Sequence, residues 1–341
     1  MRHGRRGRGR AARGFVAVAQ ATALASCTAP LEPVPADAWI LTPIEYDNAF
    51  TDDEEAVAEP IDVAYPMQLI DDTAGGVWGY SGGSWLHLDA EGRTLERWND
   101  EDSSTIDGLA AITPTLLVAS GISADPDAPY GLHLVDTERR SWTLLRPESA
   151  RVGAIAVIGG EVYAVVYSMT DPTYTVQRID ILDRSVSTAV TPALEGTVDV
   201  AIAVDLFGTI HLATPTERIV VDADGAVVSR ASAVSPRPHV AVDDDGRVLW
   251  STARDERAVE PVVIDGGSED ARAALENELL CASQQGGLTL SRRSGGDAEL
   301  SVLPFPCIPA GAAWLHDGVA IASVGNEGAA VLVRIEPPGA R

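Results

Sequence analysis

From Pro60 onward the chain alternates short apolar runs with turns rich in glycine and aspartate, the pattern of strands joined by tight hairpins. The stretch Val242-Asp243-Asp244-Asp245-Gly246-Arg247-Val248-Leu249-Trp250 states the unit: an apolar strand, an Asp-x-x-Gly turn and a second apolar strand. In such a turn the aspartate accepts from backbone amides and the glycine takes a positive φ. Asp205 with Gly208 and Asp72 with Gly75 repeat the arrangement of Asp243 with Gly246. Only residues 268–280 read as a helix.

Turn markers at Gly75, Pro114, Gly160, Gly208, Gly246, Gly286 and Gly318 recur at intervals of roughly 40 residues, the length of a four-stranded propeller blade. Each follows a run of small apolar residues, such as Gly108-Leu109-Ala110-Ala111-Ile112 or Val200-Ala201-Ile202-Ala203-Val204, as inner strands converging on a crowded axis require. A second marker runs in phase with the first, at Asp89, Asp136, Asp180 and Asp222, where the hairpin joining the two outer strands of each blade should lie. The expected fold is therefore all-β, a propeller of four-stranded blades over residues 61–337. Seven blades fit the markers best, with six or eight as alternatives; a pair of β-sandwich domains could supply the turns but not so readily the common period.

These Asp-x-x-Gly turns after an apolar inner strand resemble those of the NHL-type and related six- or seven-bladed propellers, including periplasmic sensor propellers and streptogramin-lyase-like proteins. The resemblance spans residues 61–337 but rests on short motifs, complete only in the first, fourth and fifth copies. Ala111, Val157, Ser283 and Leu315 stand where the other units would have the aspartate. The lyase resemblance implies histidine-centred elimination chemistry on one face, and no local motif carries its residues over.

The N-terminal 26 residues have the layout of an export signal: six arginines among the first 13 residues, then a modest apolar segment from Gly14 to Ala25. It ends in Leu24-Ala25-Ser26-Cys27, which resembles the bacterial lipobox, and the resemblance implies a diacylglyceryl-modified Cys27 as the first residue of a mature lipoprotein. Arg5-Arg6 leaves twin-arginine as well as Sec export open. Residues 27–60 contain several prolines and the acidic run Asp52-Asp53-Glu54-Glu55 and read as a tether, within which Trp39-Ile40-Leu41 could add a strand to the main domain. The expected location is the outer face of the cytoplasmic membrane, with the lipid on Cys27 as the membrane contact.

Charge narrows the partners. The 341 residues carry a formal charge of −25, and since the six leading arginines belong to the signal, the mature chain would be more acidic still. Such a surface repels nucleic acid and anionic lipid and favours solubility, cationic partners or divalent ions. Cys281 and Cys307 remain as an even pair in an exported protein, either disulfide-linked or as two buried thiols.

Candidate chemistry is sparse. Gly79-Tyr80-Ser81-Gly82-Gly83 has the Gly-x-Ser-x-Gly spacing of a hydrolase elbow, but the alternating residues that follow predict a strand where an elbow needs a helix. His87 and His133 recur at matching places in third strands, and neither His-x-x-x-His nor Cys-x-x-Cys occurs. Asp243, Asp245 and the turn with Asp222 and Asp224 offer oxygen ligands of the kind calcium takes, without the full calcium loop; no other cofactor is expected. The sequence thus favours a non-enzymatic, monomeric, lipid-anchored module that binds an envelope protein or glycan. The alternatives are a propeller lyase or hydrolase acting on a small molecule or polysaccharide, and an accessory sensor for a membrane kinase.

Overall fold

The computed structural model describes residues 38–44, 68–81, 83–99, 106–122, 130–147, 150–168, 173–192, 194, 199–232, 238–242, 248–252, 262–279, 286–291, 302–305, 309–314, 319–326 and 329–336. All lie in one compact unit, Pro35–Arg341. Strand β1 (Trp39–Ile44) comes first and is used last, as described below. The first sheet is β2 (Gln68–Asp71), β3 (Val77–Ser81), β4 (Ser84–Leu88) and β5 (Thr94–Asn99), paired antiparallel in sequence order. The second sheet is β6 (Ile106–Thr113), β7 (Leu116–Ile122), β8 (Tyr130–Asp136) and β9 (Ser141–Pro147). The third is β10 (Arg151–Ile158), β11 (Glu161–Tyr167), β12 (Tyr174–Asp180) and β13 (Val186–Val190). The fourth is β14 (Ala201–Val204), β15 (Ile210–Ala213), β16 (Glu217–Val221) and β17 (Val227–Ser232).

The fifth sheet is interrupted. After β18 (Val240–Val242) and β19 (Val248–Thr252) the chain leaves to form β20 (Val262–Ile264) and helix α1 (Glu269–Leu279), then returns as β21 (Gly286–Ser291) and β22 (Val302–Phe305). The Ser268 hydroxyl accepts from the Ala271 amide and caps the helix, while Glu269 and Asp270 complement the positive end of its dipole. The sixth sheet, order β20-β1-β25-β24-β23, combines β23 (Pro309–Trp314), β24 (Ala320–Asn326) and β25 (Ala329–Glu336) with β1, which pairs antiparallel to β25. On its other side β1 takes β20 as a parallel neighbour, so the N-terminal strand is held between the C-terminal strand and the insert.

Each first strand packs against the first strand of the next sheet, β2 on β6, β6 on β10, β10 on β14, β14 on β18, β18 on β23 and β23 back on β2. This is an all-β propeller of four-stranded blades, with a fifth strand added to the blade that closes the ring. Six sheets are present among the described residues, against an expectation of seven blades with six or eight as alternatives. Gly286 opens the third strand of the fifth sheet and so does not mark a separate unit; the insert had pushed it one apparent period along the chain. Within residues 27–60, strand β1 belongs to the closing sheet, where Trp39, Leu41 and Ile44 are buried.

The core consists of layers between successive sheets rather than one central mass. Trp78, Trp85, Trp98 and Leu109 with Leu117 fill the first junction, and Val152, Val162 and Ile179 with Val118 and Leu132 the second. The closing junction places Ile44, Ile321 and Leu332 against Leu69, Val77 and Leu88. Leu275 of α1, fully buried, joins Trp39, Leu41, Val333 and Ile335 on the sixth sheet. Near the axis the packing is tight enough to demand glycine: a Cβ on Gly108 would lie 2.6 Å from the Gly153 carbonyl oxygen of the neighbouring inner strand and 2.7 Å from Ser120 Oγ.

Candidate functional site: the axial channel and the two ends of the ring

The Asp-x-x-Gly turns join first to second strands. Asp72 Oδ1 accepts from the amides of Ala74 and Gly76, both at 2.7 Å, and Gly75 has φ 96°. Asp205 Oδ1 accepts from Phe207 and Thr209, and Gly208 has φ 78°. Asp89, Asp136, Asp180 and Asp222 do the same work in the turns between third and fourth strands. Asp243, Asp245 and Gly246 lie outside the described residues, as do Cys27, Cys281 and Cys307. Among the described residues no group of three His, Cys, Asp or Glu side chains is placed to hold a metal ion.

Asp72 has a second task. Its Oδ2 lies 2.7 Å from His87 Nε2, and the imidazole stacks on the Trp78 indole with ring centroids 4.1 Å apart. The Trp78 indole N–H in turn donates to the Pro114 carbonyl of the next sheet, 2.7 Å away. Burial alone would raise the Asp72 pKa, but the His87 hydrogen bond, the two turn amides and the His87 charge together carry it below its ordinary value. Asp72→Ala strips all of these donors of their acceptor. It should lower stability by about 2 kcal/mol, read as a shift in the urea midpoint at unchanged slope. The fourth sheet varies the theme: His211 Nε2 stands 3.7 Å from Asp205 Oδ2 and meets Trp250 of the fifth sheet edge-on.

Gly79 to Ser81 end β3, which pairs antiparallel with β4 up to Ser81 opposite Ser84, so a strand follows where an elbow needs a helix. His133, on β8 as His87 is on β4, has its pKa lowered by burial and packs edge-on against Trp142. Neither histidine reaches the axis.

The axis itself holds a channel of about 370 Å³ lined by the six inner strands. Its walls are largely small apolar residues, Ala110, Ala154, Ala156, Ala201, Ala203 and Ala312 among them. Polar groups gather where the inner strands begin. The Gln68 side-chain amide donates to the Ile106 carbonyl oxygen at 3.0 Å. Arg151 clamps Asp107 through Nε and an Nη at 3.2 and 2.9 Å. The Ala312 amide donates to His239 Nε2 at 3.2 Å, which puts the imidazole proton on Nδ1. Burial pushes the His239 pKa down to about 4, so the ring is neutral at pH 7. His239 was visible in the sequence only as the residue preceding an inner-strand run, and the Asp107–Arg151 pair spans two sheets, a relation no local spacing reveals.

The antiparallel order separates two ends. Turns between first and second strands and between third and fourth strands leave one end, and the described ones there are tight. At the other end, that of the polar mouth, β1 ends and β2 begins, β7 ends and β8 begins, and β13 ends and β14 begins, with residues 45–67, 123–129 and 191–200 between them in the sequence.

No family model matches the chain, and no curated protein does. Among solved structures it is similar to hydrazine synthase of Kuenenia stuttgartiensis, at 14% identity and TM-score 0.49, covering 80% of each chain. A structure titled nidogen/laminin complex gives 11% identity and TM-score 0.49, over 76% of this chain and 87% of that one. A streptogramin B lyase gives 10% and 0.48, over 89% and 100%. The class, a β-propeller, rests on the ring of sheets itself, and propellers include both binding modules and enzymes.

Proposed function

We propose that the chain is an exported lipoprotein whose β-propeller acts as a non-enzymatic binding or scaffolding module on the outer side of the cytoplasmic membrane. Residues 1–26 are the signal, Cys27 carries the lipid, and the segment from there to β1 is the tether. Recognition of an envelope protein or glycan falls to the long connections around the polar mouth. The observation that carries this reading is the use to which the mouth's polar groups are put: Gln68, Asp107 with Arg151, and His239 each hold one inner strand to the next. Groups so engaged make a rigid frame, and a rigid frame presenting variable loops is how propellers recognise partners. The enzymatic alternative would need a base such as the neutral His239 imidazole on the channel to release Nε2, which here accepts from the Ala312 amide. The kinase-accessory role differs from the leading reading in the identity of the partner.

The test is capture from envelope extract alongside a glycan array. The bait is a chain beginning at Thr28, compared with the same chain in which residues 123–129 and 191–200 are replaced by Gly/Ser stretches. Loss of a specific captured partner on replacement is the expected result; a partner retained through both replacements, or none captured, overturns the reading. Mass spectrometry of the processed protein settles the anchor separately, an unmodified Cys27 removing it.

A further inference from the structure

At the end of the ring where the tight turns lie, large apolar side chains stand in water. Leu182, Leu206 and Phe207, exposed to 92%, 64% and 69%, occupy turns, and Leu95, Val186, Val227 and Val228 are among the first two residues of strands leaving such turns. Among the described residues only Leu144 is exposed in mid-strand. Folding does not account for such a bias toward one end. Leu182 and Phe207 hold equivalent places, each two residues after a turn aspartate whose carboxylate accepts its amide, Asp180 at 2.7 Å and Asp205 at 2.9 Å. In other turns the matching residue is Ala74, Glu91, Glu138 or Asp224, so the large apolar tips belong to the third and fourth sheets, which are neighbours.

Strand β1 shows at which end the N-terminal segment joins the ring. Ala320, where β24 begins after its turn from β23, pairs with Ile335, and the next residue, Glu336, pairs with Ile40. Trp39 therefore lies at the tight-turn end, on the sixth sheet, across the ring from the third. Residues 28–38 separate it from Cys27, a length of chain that reaches at most about 40 Å when fully extended. An eight-residue inner strand such as β6 is itself about 26 Å long. With the polar mouth toward a bilayer, most of that reach would be spent passing the ring; with the turns toward it, the tether has length to spare.

We infer that the tight-turn end is a membrane-contacting face, with Leu182, Leu206 and Phe207 entering the boundary between headgroups and acyl chains of the bilayer that holds Cys27. The tether on the sixth sheet and the tips on the third and fourth are points on opposite sides of the ring, and together they set it flat with the polar mouth outward. The attraction is apolar rather than electrostatic, because Glu91, Glu138 and Asp224 keep the tips of the other turns in water. The inference rests on the lipoprotein reading above and adds to it which end of the propeller faces the lipid.

Quenching by brominated lipid tests the orientation without depending on the lipid at Cys27. A chain beginning at Thr28, with a histidine tag in place of Cys27, is held by a nickel-chelating lipid on phosphatidylcholine vesicles whose acyl chains carry bromine or do not. Leu182→Trp and Phe207→Trp should each add fluorescence that the brominated vesicles quench at least twofold, and Leu144→Trp, exposed away from the turns, should add fluorescence that they leave unchanged. No quenching at either turn position, or equal quenching at all three positions, overturns the face. Mass spectrometry of the processed protein separates the two readings. A lipidated Cys27 without quenching at the turns leaves the anchor standing and removes this orientation; quenching at the turns with an unmodified Cys27 removes the anchor and keeps the face as a lipid contact.

Discussion

A chain that begins at residue 45 should fail to close its ring: it should bind a hydrophobic dye, lose near-ultraviolet ellipticity and unfold without a sharp transition, while a chain beginning at Thr28 unfolds cooperatively. The reason is the double duty of β1. Its removal uncovers the edge of β25 over the register Ile40–Glu336 to Ile44–Leu332 and at the same time leaves β20 without the strand it pairs with in parallel. The Asp265 amide would also lose the Leu41 carbonyl, 2.9 Å away, that holds the insert down. Trp39 and Leu41 are 1% and 0% exposed, and with Leu275 and Ile335 they form the apolar layer under α1. Point substitutions separate packing from pairing. Trp39→Ala and Leu41→Ala should each lower stability by about 3 to 4 kcal/mol in urea unfolding, since large-to-small changes at buried sites remove both transfer energy and packing. Urea midpoints within a few per cent of the parent for both variants, or a sharp transition in the chain beginning at residue 45, would show that the ring does not depend on this strand.

Much of this architecture can be read from the chain because propeller turns are local. Asp72 and Asp205 bond amides two and four residues ahead, and Gly75, Gly160 and Gly208 take the positive φ that their turns need, so each leaves a mark within five residues of sequence. The helix is legible for the same reason, since Ser268 caps it and acids fill its first turn. Blade count stays between six, seven and eight in the sequence because it depends on which strands pair across the insert. The chain from Gly246 to Gly286 is one period long whether it holds a blade or an excursion to another sheet, and only the pairing of β19 with β21 distinguishes them. The site was the least legible part. Asp107 with Arg151 and His239 with Ala312 are each assembled from strands far apart in the chain.

Acid should loosen the ring well before the carboxylates titrate, and His239 is the group responsible. Its imidazole is neutral in the folded protein, with burial holding the pKa to about 4, whereas an unfolded histidine titrates near 6.5. A folded-state value below the unfolded one means that the unfolded chain takes up the proton first. The contribution to stability is therefore whole above pH 6.5 and declines as pH falls toward 4, by about 3 kcal/mol over that window. Protonation also turns Nε2 from acceptor to donor and sets it against the Ala312 amide, across the junction of the fifth and sixth sheets beside ring closure. Urea unfolding at pH 7 and pH 4.5 reads the effect, with His239→Gln as comparison. The substituted protein starts less stable at pH 7 but should lose much less between the two values, because glutamine has no proton to take up. Equal losses in both proteins would assign the acid sensitivity elsewhere. Asp72 is the next group in line: its lowered pKa stabilises the fold above the ordinary value of 3.8 and stops doing so as pH falls below it, a second and separate step.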